Sequence, residues 1–419
     1  MKLAINAYGK IKTFIRIGII LSPSIVLILI LVEIAKIPID FTGTDDGSQF
    51  IVRNLAISGF LKTYVAYPRW LSDLYYGYGY PVLQYYSPLA YLLVAVIRGV
   101  SNKSLDDAII ILCVIIMFCA FIGAAIFSSR LRYFFVEYTI DSNTRDERYL
   151  HVVPALIYVS TPYPFITNIL LRGALPEALA LAILPWIATS ILVLYIDRKP
   201  KLSQKITSAL LLSIIMISHQ LSYTIVILIL SGIGLWFAMR RDFRKVYSGG
   251  FIICLSISVA SVFWTPVLFE ATQVRLSLTK KPIEEFDKYL LDIDNIIHES
   301  FPYNYGWNYQ DISSSTNNCP SLFIACRPRE TRLITSSVTP ISPSWTQIIG
   351  TVSLTIYFIV RNFSGHNRKK HPAIMLCIII ICVIGWLNTQ YSSWLWKAIK
   401  VATYIQFPWR LLGILAFLS

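Results

Sequence analysis

Asp45 and Asp46 stand side by side in the stretch Thr42-Gly-Thr-Asp-Asp-Gly47. Adjacent carboxylates can hold a divalent cation through oxygen ligands. One of them could also serve as general base toward a sugar hydroxyl. The flanking glycines let the backbone turn sharply there. A solvated acidic turn explains the same residues, and spacing alone favours it. A second pair of charges lies in Arg172-Gly-Ala-Leu-Pro-Glu177. Arg172 and Glu177 could neutralise each other, or Arg172 could bind a phosphate, and the residues leave both readings open. Pro176 and Glu177 suit the first turn of a following helix. His219 in Ser218-His-Gln220 is a lone histidine, more often structural than catalytic. Glu270 and Arg275 follow the apolar run Phe263–Phe269. Arg410, in Gln406-Phe-Pro-Trp-Arg410, could meet a lipid phosphate through a charge-assisted hydrogen bond or simply anchor a helix at the headgroups.

These residues are spaced along a strongly apolar chain. It has 419 residues, 55% of them hydrophobic and 14% charged, against about 25% charged in a soluble domain. Mean hydropathy is +0.60. Runs such as Ile17–Val32, Ala108–Phe127 and Phe251–Val262 approach or reach the roughly 20 apolar residues that a membrane span needs. A large soluble core would interrupt them with polar faces. Spans are expected at about 14–34, 107–128, 151–166, 177–196, 205–218, 221–239, 247–268, 345–360 and 373–389, with a last one opening near Phe407: about ten crossings in all. The 205–218 span is short and could join 221–239 as a bent hairpin. Lys2, Lys10, Lys12 and Arg16 precede the first run as they would a signal peptide. That run exceeds a typical signal core, and Glu33-Ile-Ala-Lys36 offers no clear cleavage site. It reads as a retained span.

The segment Ser87–Arg98 is apolar but too short to cross, and suits an interfacial or re-entrant helix. With this segment not crossing and the N-terminus cytoplasmic, the basic clusters all fall inside, as the positive-inside rule requires. These clusters are Arg130/Arg132 with Arg145/Arg148, then Arg198/Lys199/Lys201, Arg240/Arg241/Arg244/Lys245 and Arg368/Lys369/Lys370. The net charge of +14 is thereby explained. No nucleic-acid-binding motif is present, so nucleic acid is not an expected partner; membrane lipid is. The same topology places Asp45, Asp46, Arg172, Glu177, His219, Glu270, Arg275 and Arg410 on the non-cytoplasmic face of a cell membrane.

The reading divides the chain into five parts. Residues 1–36 hold the cytoplasmic N-terminus and first span, and 37–106 the first external loop with interfacial helices. Residues 107–268 form a transmembrane bundle, 269–344 an external loop or small cap, and 345–419 the last spans. The closing run stops at Ser419 without a basic stop and reads as truncated. The first loop is dense in aromatics from Tyr64 to Tyr86, as a segment on the membrane interface would be. Of seven cysteines, Cys113, Cys119, Cys254, Cys377 and Cys382 lie in apolar runs and read as packing residues. Cys319 and Cys326 share one polar loop and could pair as a disulfide in an oxidising compartment.

Six motifs occur in order: Tyr67-Pro-Arg-Trp70, Gly77-Tyr-Gly-Tyr-Pro81, Tyr85-Tyr-Ser-Pro-Leu89, Arg172-Gly-Ala-Leu-Pro-Glu177, Ser218-His219 and Gln406-Phe-Pro-Trp-Arg410. Together they resemble the membrane proteins carrying the 6-pyruvoyl-tetrahydropterin synthase-related domain. Nothing in the chain resembles the zinc site of the soluble pterin enzyme. The family in turn resembles a branch of the GT-C superfamily of polytopic glycosyltransferases. The resemblance implies an all-α, GT-C-like helical bundle with two long external loops. It implies an acidic residue in the first loop, Asp45 or Asp46, near a bound divalent cation such as Mg²⁺ or Mn²⁺, activating the acceptor. It also implies basic residues, with Arg172, Arg275 and Arg410 as candidates, holding a polyprenyl-phosphate sugar donor. The resemblance leads one to expect a histidine soon after the aspartates, where Gln49-Phe50 stands instead. Two other classes remain open. One is a non-enzymatic membrane protein such as a lipid-linked glycan transporter or assembly partner, which should show discontinuous helices meeting at the midplane. The other is an inactive homologue.

Overall fold

The computed structural model describes residues 41, 44, 46–60, 67–137, 152–196, 200–273, 290, 309–310, 333–334, 352, 356, 372–398 and 408–418. Asp45, Arg275, Cys319, Cys326 and the first expected span lie outside these residues. Two compact units are present, Met1–Arg275 and Leu276–Ser419.

In the first unit helices succeed one another closely. They are α1 (Gly47–Phe60), α2 (Val82–Tyr85), α3 (Leu89–Ser101), α4 (Leu105–Glu137), α5 (Val152–Ser160), a π-helix (Pro162–Leu171), α6 (Leu175–Ile196), α7 (Leu202–Ser218), α8 (Gln220–Met239), α9 (Phe243–Val259) and α10 (Ser261–Phe269). Three of them, within Leu105–Leu131, Leu175–Leu194 and Gln220–Met239, are long and apolar enough to cross a membrane. The count is four if α9 and α10, bent by 73°, are one span. The sequence reading of about ten spans exceeds this count. Part of the gap lies in α7, an apolar helix of 17 residues, and part in the expected spans 14–34 and 345–360, which fall wholly or almost wholly outside the described residues. Another part lies at 151–166, where the helix breaks at Thr161. Pro162 and Pro164 each lack an N–H, and the chain continues as a π-helix as far as Leu171.

The centre of the unit is the contact of α4 with α6. Ile109, Leu112, Cys113, Ile116, Met117, Ala120 and Ala124 are buried at spacings of three and four residues, the stripe of one helix face. Ile115, Phe118, Ile122 and Ile126 on the other face are apolar and exposed. A helix apolar all round belongs in a large core or in lipid. Gly123 lets the helices approach, because a Cβ there would lie 2.4 Å from Trp186 Nε1. The Trp186 indole N–H donates to the Cys119 carbonyl at 2.9 Å. Small residues at such crossings are the usual means of close helix packing in membranes.

Helix α7 packs on α6 and α9, and α8 packs on α7 and α9. At the α9–α10 bend side chains reach the backbone carbonyls of the last turn of α9, where the Ser256 carbonyl also accepts from Ala260 N–H at 3.1 Å. Ser213 Oγ donates to the Ser256 carbonyl at 3.0 Å and Trp264 Nε1 to the Ile257 carbonyl at 2.7 Å. The short apolar segment of the sequence reading is α3, joined to α4 by Asn102 in the left-handed conformation (φ 53°). On the preceding turn Leu71 bridges Tyr80, and Tyr75, Tyr76 and Tyr78 are exposed.

The second unit contains α11 (Pro372–Leu387), α12 (Ser393–Ala398) and α13 (Leu412–Leu418), with Arg410 in a 3-10 turn over Pro408–Leu411. Helix α13 packs on α11. Trp396 Nε1 ties α12 to the end of α11 by donating to the Leu387 carbonyl at 2.9 Å. The described strands are the two-residue pair Tyr309–Gln310 and Leu333–Ile334.

Candidate functional site

Arg172 and Glu177 meet. Arg172 Nη1 lies 2.9 Å from Glu177 Oε2, and both side chains are buried. The same nitrogen donates to Asn168 Oδ1 at 2.6 Å and approaches Tyr163 OH at 3.5 Å. Tyr163 OH donates to Glu177 Oε1 at 2.5 Å. Local sequence sets this up. The π-helix carries Tyr163 and Asn168, and its end at Arg172 turns through Gly173 into α6. Glu177 occupies the first turn of α6, where the helix dipole favours a carboxylate. Burial works against the Arg172 charge, but Glu177 and then Tyr163 hold the guanidinium above its ordinary pKa, with a further contribution from Asp46. Removing one partner of such a pair would strand the other as an uncompensated buried charge.

The acidic loop docks on this pair. Asp46 N–H donates to the Arg172 carbonyl at 2.7 Å, and the Asp46 carbonyl accepts from Phe50 N–H at 2.9 Å to open α1. Thr44 Oγ1 donates to the Phe41 carbonyl at 2.9 Å, which folds the loop back on itself. Two glycines make the approach possible. Gly173 has φ +66°, and a Cβ on it would lie 2.3 Å from Thr44 Oγ1 and 2.9 Å from Gly47 N. A Cβ on Gly47 would lie 1.8 Å from the Phe41 carbonyl oxygen. The Asp46 backbone is therefore held in place while its carboxylate has no hydrogen bond or ion pair with a described residue.

A second cation lies on the same helix. Gln49 and Arg53 share one face of α1, and Asp46 immediately precedes the helix. Arg53 Nη2 donates to Gln49 Oε1 at 2.7 Å and Nη1 to Tyr91 OH at 3.0 Å. Its guanidinium lies 5.0 Å from the centroid of the Tyr86 ring and 6.0 Å from that of Tyr91. Tyr91 also stacks on Phe50 at 4.6 Å. The Tyr91 phenol is held neutral, its pKa raised first by burial and then by Tyr86 and Asp46, against Arg53.

The structure thus brings Asp46, Arg172 and Glu177 together, three of the residues singled out from sequence. It gives other settings to His219 and Glu270. His219 caps α8, with Nδ1 accepting from Ser222 N–H at 3.3 Å and pairing with Ser222 Oγ at 2.8 Å. Glu270 is held by Gln84 Nε2, and its backbone carbonyl accepts from Tyr85 OH at 2.8 Å. That contact fastens the end of α10 to α2. Arg410 belongs to the second unit. Among the described residues no three His, Cys, Asp or Glu side chains come together as a metal site. Asp45, the other carboxylate of the acidic pair, lies outside the described residues. Sequence reasoning passed over Arg53, Tyr91, Tyr163 and Asn168. For Arg53 the signal was present: the one charged residue of α1, one turn after Gln49.

Residues 83–286 match the family model described as 6-pyruvoyl-tetrahydropterin synthase related domain, membrane protein. The matched stretch contains Tyr91, Tyr163, Arg172 and Glu177, and begins after Asp46 and Arg53. No curated protein and no solved structure matches the chain.

Proposed function

We propose, from the match of residues 83–286 to the 6-pyruvoyl-tetrahydropterin synthase related membrane protein family, that the chain is a GT-C-like glycosyltransferase, moving a sugar from a polyprenyl-phosphate donor to an acceptor at the non-cytoplasmic face. One observation carries this reading. The Asp46 backbone is clamped to Arg172, while its carboxylate is left without a partner among the described residues. A base needs that combination of fixed position and free lone pairs. Asp46 would take the proton of an acceptor hydroxyl. The hydroxyl oxygen would form the new bond to the anomeric carbon. The bond from that carbon to the phosphate oxygen would break, and the leaving phosphate would keep its electron pair. A nearby arginine would stabilise that charge. No step in this scheme runs through a metal.

The experiment is Asp46→Asn. Cells carrying this variant in place of the wild-type chain should lose the transferred sugar from their glycans, as read by mass spectrometry. The amount of the chain in the membrane fraction should not change. Unaltered glycans in those cells would remove the mechanism.

A second reading, a lipid-linked glycan transporter, is favoured by the 73° bend between α9 and α10. Broken helices are the places where transporters bind their cargo. Ser213, Tyr223 and Trp264 already staple this break. A transporter would tolerate Asp46→Asn and fail instead when Ser213 and Tyr223 are both replaced.

A further inference from the structure

Arg53 is a cation with no anionic partner among the described residues. Its described partners are Gln49, Tyr86 and Tyr91, all neutral. No carboxylate among the described residues lies within ion-pair distance of it. A guanidinium carries five N–H donors, and here one on each terminal nitrogen is engaged. The remaining donors have no described acceptor. Arg53 is only half-buried, so an approaching group can reach them.

The surroundings also fix its orientation. Two hydrogen bonds and two rings hold the guanidinium plane before anything binds. The ordering cost of a long side chain is thus met in advance. A planar fork of donors fits an oxyanion with two acceptor atoms. Tyr91 cannot quench the charge, because burial keeps its phenol neutral. Arg172 contrasts with this, since Glu177 at 2.9 Å already compensates it. Of the two arginines, Arg53 has charge to offer.

We infer that Arg53, framed by Gln49, Tyr86 and Tyr91, forms an oxyanion subsite that takes the phosphate of a phosphate ester. The inference deepens the proposed function and rests on it for the identity of the ester, a lipid-linked phosphate. Asp46 begins the helix that carries Arg53. Seven residues of helix place the two about 10 Å apart along the axis. That distance leaves room for a sugar between the carboxylate and the phosphate.

The test uses the full chain in phosphatidylcholine nanodiscs, titrated calorimetrically with farnesyl phosphate, with farnesol and with inorganic phosphate. Wild type should bind farnesyl phosphate and ignore farnesol. Arg53→Ala should bind farnesyl phosphate about tenfold or more weakly. Arg53→Lys, which keeps the charge but loses the fork, should fall between the two. A thermal melt of each variant separates lost binding from lost fold. If inorganic phosphate displaces farnesyl phosphate, the subsite recognises the phosphate group from either source. If it does not, recognition is of the lipid-linked form. Wild-type affinity in Arg53→Ala, or no binding of either phosphate by wild type, overturns the subsite. If Asp46→Asn keeps sugar transfer while Arg53→Ala loses farnesyl phosphate, the transferase reading fails and the subsite stands.

Discussion

Two arginines anchor neighbouring parts of the first unit, and they are treated in opposite ways. Arg172 is buried, ion-paired with Glu177 and hydrogen-bonded to Asn168. Arg53 is half-buried and held by an amide and two phenol rings. Sequence reasoning ranks them the other way round, because Arg172 sits in a recognisable motif and Arg53 does not. The difference teaches that a charge in a motif can be architectural. Arg172 spends its charge on Glu177 and its carbonyl on Asp46. Its contribution is to fix where the acidic loop sits. Arg53 links α1 to α3 through Tyr91 and has no carboxylate partner among the described residues.

The sharpest way to break this contrast is Glu177→Ala. It removes the carboxylate and leaves Arg172 charged and buried. Losing one partner of a buried pair costs about 3–5 kcal/mol. A fall of that size should appear in denaturant unfolding of the chain in detergent. Pairing Glu177→Met with Arg172→Met should restore much of the loss, since apolar replacement of both partners is often nearly neutral. If Glu177→Ala were as stable as wild type, the pair would not be structural and Arg172 would regain its claim to phosphate.

Gly173→Ala probes the link between the pair and the acidic loop. The added methyl would lie 2.3 Å from Thr44 Oγ1, at a φ of +66° that disfavours any side chain. Strain of this kind costs about 1–3 kcal/mol. The larger consequence should be functional, because a loop displaced by about 1 Å can cost on the order of a hundredfold in rate. The expected outcome is a modest drop in melting temperature with a much greater loss of transfer in cellular glycans. Equal losses in both would mean that the loop does not position the reacting group.

Much of the membrane-embedded frame was legible in the sequence. Helices α4, α6 and α8 fall where the apolar runs predict, and the short apolar segment 87–98 is a 13-residue helix, α3. Length and hydropathy settle such elements because lipid admits few alternatives. The Arg172–Glu177 pair was legible as one of two readings, since both residues flank the start of one helix. Its contact with Asp46 was not. That contact depends on a backbone donor, on Gly173 at positive φ and on the absence of a Cβ at Gly47, and none of these leaves a periodic trace. The π-helix after Thr161 escaped for a similar reason: Pro162 and Pro164 signal a break but not the kind of helix in which the chain resumes. Arg53 was missed because its partners, Tyr86 and Tyr91, lie in a stretch so rich in tyrosine that no single one stood out. Gln49, noticed only as a departure from an expected histidine, turns out to hold Arg53.

The smallest expected effect bears on how Arg53 is held. Tyr91→Phe keeps the ring that stacks on Phe50 at 4.6 Å and removes the oxygen that accepts from Arg53 at 3.0 Å. One hydrogen bond to a charged group contributes about 1.5–3 kcal/mol when buried, and less here because Arg53 is half-exposed and water can replace the phenol. Stability should therefore change by about 1 kcal/mol or less. Farnesyl phosphate should bind a few-fold more weakly, since the guanidinium keeps its charge but loses part of its orientation. A double-mutant cycle with Arg53→Ala should give a coupling of about 0.5–1 kcal/mol. The cycle would show no coupling if Tyr91 merely packs. It would exceed about 3 kcal/mol if Arg53 were a structural ion like Arg172, and the contrast between the two arginines would then dissolve.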